Sequence, residues 1–212
     1  MAKHARATQR SATVARILAA AENAFAERGL AGSRTDQIAH AARVNKALLY
    51  YYFKSKKQLY GAVFDSLLSQ QQAAQRLAQP VGGAQRDVLV AYVNGYFDFV
   101  IAHPNYPRLM QREMMSRGPQ LQRILRDYWG PSQRRLVEAV EAGIRTGEFP
   151  TVDPVHTVLS LIAMTVFYFA AAPVLGELLG HDALQPQAVA ARRRAVLDFL
   201  DHGLFVAPAR KR

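Results

Sequence analysis

Residues 33–59 read SRTDQIAHAARVNKALLYYYFKSKKQL. The stretch holds two short helical patterns separated by a tight break, then the start of a third helix. Ile38, Ala39 and Ala42 fall on one side of the first pattern, and Leu49 and Phe53 are spaced i, i+4 in the second. Among them stand Arg34, Arg43, Lys46, Lys56 and three successive tyrosines, Tyr50, Tyr51 and Tyr52. A short helix, a turn and a second short helix with a basic, aromatic face is the arrangement that places a helix in the major groove of duplex DNA.

The ends of these helices carry their own signals. Ser33, with Asp36 three residues on, matches a capping box for the first. Asn45 is a good N-cap for the second. Ser55-Lys56-Lys57-Gln58 is a further capping box, opening a helix predicted to run to about Leu77, where Pro80, Gly82 and Gly83 stop it. Upstream, Val14, Ile17, Leu18, Ala21, Ala24 and Phe25 recur at spacings of three and four. Ser11 is expected to cap that helix and Gly29 to end it. Lys3, Arg6 and Arg10 then read as a mobile tail, with a minor-groove or phosphate role as the second reading.

Downstream, amphipathic stretches cover roughly 84–102, 106–116, 119–146, 154–179 and 186–205. Their breaks fall at His103-Pro104, Gly118-Pro119, Gly147 with Pro150, and Gly180. No segment alternates with period two for long enough to form a strand, so the fold class is all-α.

Composition narrows the function. Half of the 212 residues are hydrophobic, enough for a sizeable core, and there is no cysteine. That excludes disulfides, thiolate metal sites and a cysteine nucleophile, and it fits a reducing cytoplasm. The N-terminus lacks the apolar run of a secretory signal. The net charge is +11, unevenly placed: residues 1–57 hold 11 Lys/Arg against 3 Asp/Glu, and residues 58–212 hold 16 against 13. A polyanion partner for the first quarter alone follows. The six histidines show no metal-ligand spacing, and no nucleophile–base set or Gly-rich loop after a strand occurs. No catalytic residue, metal or cofactor is therefore assigned, and the chain does not read as an enzyme. Val158–Gly176 carries no charge, yet it is short for a membrane span and closes with Pro-Val-Leu-Gly. It reads as a buried helix, for which a second copy of itself is a natural cover.

The first quarter of the chain resembles the tetracycline-repressor (TetR) family of bacterial transcription regulators. The carrying residues are Phe25, Gly29, Ile38-Ala39, Ala42, Val44, the run Leu49 to Phe53, Ser55-Lys56 and Leu59. They meet the family pattern of I-A, A-G-V, L-Y-x-x-F and K-x-x-L at almost every position. Arg43 departs from it, standing where the family has glycine. If the turn keeps a positive φ there, an arginine costs roughly 1 kcal/mol, which a phosphate contact from Arg43 would offset.

The resemblance implies a three-helix DNA-binding domain in residues 1–57 and a larger helical ligand-binding and dimerisation domain in 58–212. Lys46, Ala47 and Leu48 open the reading helix, where side chains meet base edges. Tyr50 and Tyr52 can reach phosphates, and Tyr51 either packs on the first helix or lies at the groove edge. Arg34, Thr35 and Lys56 lie at helix N-termini, which attract phosphate; Arg43 and Asn45 complete the set.

For the second domain the implied ligand-binding set is aromatic and thioether. It comprises Tyr92, Tyr96, Phe99, Met110 and Met114, together with Trp129, Met164, Phe167 and Tyr168. His103, Arg108, Arg112 and Glu113 are possible polar handles. The expected partners are double-stranded DNA, a small-molecule effector and a second copy of the chain, with no membrane. Two other classes stand beside this reading: a helical small-molecule-binding module without DNA function, and a membrane-associated protein using residues 158–176.

Overall fold

The computed structural model describes residues 2–77 and 83–204, and within them the chain forms helices and no strand. In order these are α1 (Ala2–Gly32), α2 (Thr35–Ala41), α3 (Lys46–Tyr52), α4 (Lys56–Leu77), α5 (Gln85–Ala102) and α6 (Tyr106–Met115). Then come α7 (Leu121–Ile124), a π-helical turn (Leu125–Trp129), α8 (Gly130–Thr146), α9 (Pro154–Ala170), α10 (Ala172–Leu179) and α11 (Pro186–Gly203). Pro80 and Gly82, expected to stop α4, lie outside the described residues.

Two expectations about helix ends are corrected. Ser11 is not a cap: α1 begins at Ala2, and Arg10 belongs to that helix rather than to a tail. No Gly or Pro occurs from Ala2 to Arg28, so nothing halts the helix at Ser11. Gly29 instead kinks the chain, with φ 68° and ψ 179°, a conformation open to glycine. Residues 154–179 are likewise not one helix. They bend by 75° between α9 and α10, next to Pro173, which supplies no N–H to the turn before it. Among the described residues no single helix is long and apolar enough to cross a membrane.

The chain divides into two compact units, Met1–Ser69 with Arg108–Leu121 and Gln70–Pro107 with Gln122–Arg212. The first unit thus takes in the start of α4 and most of α6 besides the helix-turn-helix. Its core is built from Ile17, Phe25, Ile38, Leu49, Leu59 and Phe64, and the Tyr60 ring stands edge-on to both Phe25 and Phe64. Two adjacent residues bind α6 into it. Arg112 donates to the Ala26 and Glu27 carbonyls of α1, at 3.1 and 2.9 Å. Glu113, almost fully buried, accepts the Tyr60 hydroxyl of α4 at 2.8 Å and the backbone N–H of Gln120. Burial first, then the carboxylate holding its proton, push the Tyr60 phenol well above its ordinary range.

In the second unit α5 lies against α8, α9 and α11. It buries Leu89, Val93, Phe97 and Val100, and these neighbours contribute Val140, Leu161, Phe169 and Val196 to the core. Arg86–Asp201 and Arg193–Asp98 add exposed ion pairs between α5 and α11, which such positions make worth little.

The turn after α6 is tight. Arg117 has φ 46°, and the Gly118 N–H donates back to the Glu113 carbonyl at 2.8 Å. A Cβ at Gly118 would collide with the Glu113 carboxylate, which cannot swing away without releasing Tyr60 and Gln120. Gly118→Ala is therefore expected to destabilise the chain by about 1–3 kcal/mol, read as a lowered urea midpoint; an unchanged midpoint would show the carboxylate to be free to move.

Candidate nucleic-acid interface

The turn between α2 and α3 keeps the geometry that glycine favours. Arg43 has φ 55°. Its N–H donates to the His40 carbonyl at 3.0 Å, and the N–H of Val44 donates to Ala39 at 3.0 Å. This pair is the Schellman closure of α2, with Arg43 in the left-handed position. From α1, Arg16 donates to the Ala42 carbonyl at 3.3 Å, so a basic side chain braces the C-terminal end of α2. The start of α3 forms as its sequence predicts: Asn45 Oδ1 accepts the Leu48 N–H at 2.7 Å. Ser55 Oγ similarly accepts from Gln58 at the start of α4, at 3.1 Å.

Ser33 is a correction. The N-cap of α2 is Arg34, without a side-chain cap bond. The Ser33 hydroxyl, buried, points the other way and is shared between the Ala24 and Gly29 carbonyls of α1, at 2.9 and 2.7 Å. Asp36 pairs with Arg34 at 2.8 Å rather than closing a box, and the Arg34 hydrogen bond holds its carboxyl below the usual range. Lys56 also serves the fold, since its ammonium donates to the Ala31 and Ser33 carbonyls at 3.2 and 3.0 Å. One of its three N–H donors is left over.

Leu49 is completely buried and Phe53 partly so, which fixes the inner side of α3. Lys46, Ala47, Tyr50 and Tyr51 form its exposed side, with Leu48 and Tyr52 half-buried at the edges. Tyr51 is 71% exposed, so it does not pack on α1. The Tyr50 hydroxyl lies 3.1 Å from Thr35 Oγ1 and links the reading helix to the start of α2. Arg34 and Arg43 are exposed and Thr35 is half-buried. The face is therefore cationic, phenolic and rigidly backed. Arg10, read from the sequence first as part of a tail and second as a groove or phosphate contact, lies beside this face, its guanidinium 5.8 Å from the centre of the Tyr52 ring.

The aromatic and thioether set divides. Met110 and Met114 fall in the first unit, Met110 buried and Met114 exposed. The other seven lie in the second unit. There Tyr92, Tyr96 and Phe99 join a ring network through Tyr106 and Phe169, with centroids 5.0–6.4 Å apart. The Tyr106 hydroxyl accepts from the Trp129 indole N–H and donates to Gln71 at 3.0 Å. Burial pushes the Tyr92, Tyr96 and Tyr106 phenols well up, so they stay neutral. Tyr168 donates to the Ala183 carbonyl at 2.6 Å, Met164 is half-buried, and Phe167 stands apart, 65% exposed on α9. Tyr106 and Phe169, the hubs of the network, carry no signal in the sequence that singles them out. A narrow cleft beside it is lined by Gln75, Val88, Tyr92, Ser132, Arg135 and Leu136. Of the polar handles, Arg112 and Glu113 are committed to α1 and α4 as described.

A short helix presented on a braced turn, with its basic and phenolic side outward, defines a helix-turn-helix DNA reader. Residues 17–63 match the description of bacterial regulatory proteins of the tetR family, and residues 86–200 match the tetracyclin repressor-like C-terminal domain. The chain belongs to this family, and it is a ligand-responsive, DNA-binding transcriptional regulator, not an enzyme. It is 28% identical to the HTH-type transcriptional repressor NicS of Pseudomonas putida, over 94% of this chain and 95% of that one. It is 31% identical to the HTH-type transcriptional repressor SCO4008 of Streptomyces coelicolor, over 87% and 95%. Among solved structures it resembles the Streptomyces coelicolor regulator SCO4942, with TM-score 0.71, 27% identity and coverage of 91% and 98%. A regulator from Saccharomonospora viridis, solved with choline, shares the fold at TM-score 0.75 and 18% identity, over 93% and 100%.

The left-handed backbone at Arg43 is strained, and Arg43→Gly should raise folding stability by about 1 kcal/mol. Urea denaturation checks this; a fall in stability would mean that the arginine side chain makes a compensating contact in the folded chain.

Proposed function

We propose that this chain is a homodimeric repressor in the cytoplasm that binds a palindromic operator and is released by a small apolar or aromatic effector. The observation that carries the reading is the outward side of α3, where Lys46, Ala47, Tyr50 and Tyr51 are exposed together on a capped and braced helix. Lys46 suits guanine O6 and N7, and Ala47 and Leu48 suit thymine methyls. Arg34, Thr35, Arg43, Asn45, Tyr50, Tyr51, Tyr52 and the spare Lys56 donor surround them as phosphate and groove-edge groups.

Dimerisation is supported by apolar stripes left open on the second unit. Val155, Leu159, Ala163 and Phe167 follow each other at i+4 on α9, and Ala191, Ala195 and Phe199 do so on α11, all exposed. The alanines allow close approach, and pairing both helices with their copies would build a four-helix bundle. Two reading helices would then face successive major grooves.

In this reading the effector would bind near the ring network of the second unit, with Tyr92, Tyr96, Phe99, Trp129, Met164 and Tyr168 as its apolar and phenolic surroundings; Met110, Met114 and Phe167 have less support. The chain passes from one unit to the other inside α4, inside α6 and at the start of α7. A ligand that prefers one of two arrangements of these helices would shift DNA affinity, and one without such a preference would shift nothing.

Two outcomes are expected. On a duplex selected from random sequences, Lys46→Ala should lose about 1–3 kcal/mol of binding and relax the preference at one position. Loss of equal size on every sequence would reassign Lys46 to phosphate. Leu159→Glu should convert the dimer to a folded monomer by light scattering and abolish tight operator binding; a dimer that persists would remove α9 from the interface.

A further inference from the structure

We propose that Arg10 is a DNA phosphate-binding residue, held beside the end of the reading helix by its cation–π contact with Tyr52. This rests on the DNA-reading proposal above and adds to it a contact from outside the helix-turn-helix. Because α1 runs unbroken from Ala2, Arg10 is part of a regular helix and shares a face with Thr13 and Ile17, both buried. That face packs inward at Ile17 and emerges into solvent at Arg10, which is exposed.

The two arginines of this region have different fates. Arg16 is engaged by the Ala42 carbonyl and by Thr13. Arg10 lies over the Tyr52 ring and has no acidic partner among the described residues. A cation–π contact draws on the charge and not on the N–H donors, so it leaves the guanidinium fork unused. Tyr52 is itself held edge-on by Tyr51, with ring centroids 5.2 Å apart. The fork is thus presented from an ordered platform, at low entropic cost on binding.

Its place along α3 selects the ligand. Lys46 opens α3 and Tyr52 closes it. When the first turn of a reading helix meets the base edges, its far end comes up toward the sugar-phosphate backbone. Arg10 therefore faces phosphate oxygens, which a planar fork can grip at two points, and it carries no sequence preference.

The test uses the full-length chain and a duplex selected with it from random sequences, together with a scrambled duplex of the same length. Affinity is measured against NaCl concentration for wild type, Arg10→Ala, Arg10→Lys and the distant control Arg145→Ala. Arg10→Ala is expected to weaken binding to both duplexes by the same factor, about 5–20-fold near 0.1 M salt, and to lower the salt slope by about one. Arg10→Lys should keep the slope, and Arg145→Ala should change neither. Wild-type affinity and slope in Arg10→Ala would overturn the proposal, as would a loss confined to the selected duplex. A slope lowered equally in Arg10→Lys would reject it too. A wild-type chain that selects no duplex overturns the DNA-reading proposal itself, a failure distinct from that of Arg10.

Discussion

The first unit depends on how the C-terminal carbonyls of α1 are satisfied. A helix ends with carbonyls that have no intrahelical partner and a partial negative charge. The kink at Gly29 spreads these over nearly two turns. Ser33, Lys56 (at the Ala31 carbonyl) and Arg112 answer them from three separate places: the α1–α2 link, the first turn of α4 and the end of α6. Two of the three are cations, the favoured partners for that end of a helix. A single feature, the kinked end of one helix, therefore collects elements on either side of α3. Arg16 applies the same chemistry to the end of α2.

Local signals are legible in the sequence, and long-range ones are not. Asn45 and Ser55 cap the helices that follow them because a capping bond spans only three residues. The positive φ of Arg43 follows only from the resemblance, in which glycine stands there; nothing in an arginine itself signals it. Ser33 carries an equally good local signal and is used otherwise, because burial against α1 brings its hydroxyl to the Ala24 and Gly29 carbonyls. Lys56 reads as a phosphate anchor for the same reason: its partners, Ala31 and Ser33, are more than twenty residues away. Arg10 reads as part of a tail because Ser11 resembles a cap, although the chain offers no residue there that stops a helix.

In the second unit the pattern identifies apolar faces but not their neighbours. Periodicity marks Tyr92, Tyr96 and Phe99 as inward and cannot say that Tyr106 and Phe169 join them, since those lie on other helices. Phe167 shows the converse failure. The run from Val158 to Gly176 is uncharged on every side, so composition alone cannot separate Tyr168 and Phe169, which are buried, from Phe167, which is open. An apolar residue left out of the core in this way is informative, since a contiguous exposed stripe implies a partner. On α11, Ala191, Ala195 and Phe199 are exposed as well, and under the dimer proposal such small residues would allow close helix pairing.

The π-helical turn and the bend at Ala171 are also invisible to periodicity, which averages over several turns. Both sit in the second unit, in the part of the chain that the resemblance does not cover. The contrast has a physical basis. A DNA duplex presents the same groove to every reader, so the reading helix has few acceptable solutions and a recognisable sequence. Effector cores face ligands of many shapes and can be filled by any side chains that pack. Legibility therefore declines along this chain as the partner becomes less constrained, and the residues read most securely are those whose geometry is dictated from outside the protein.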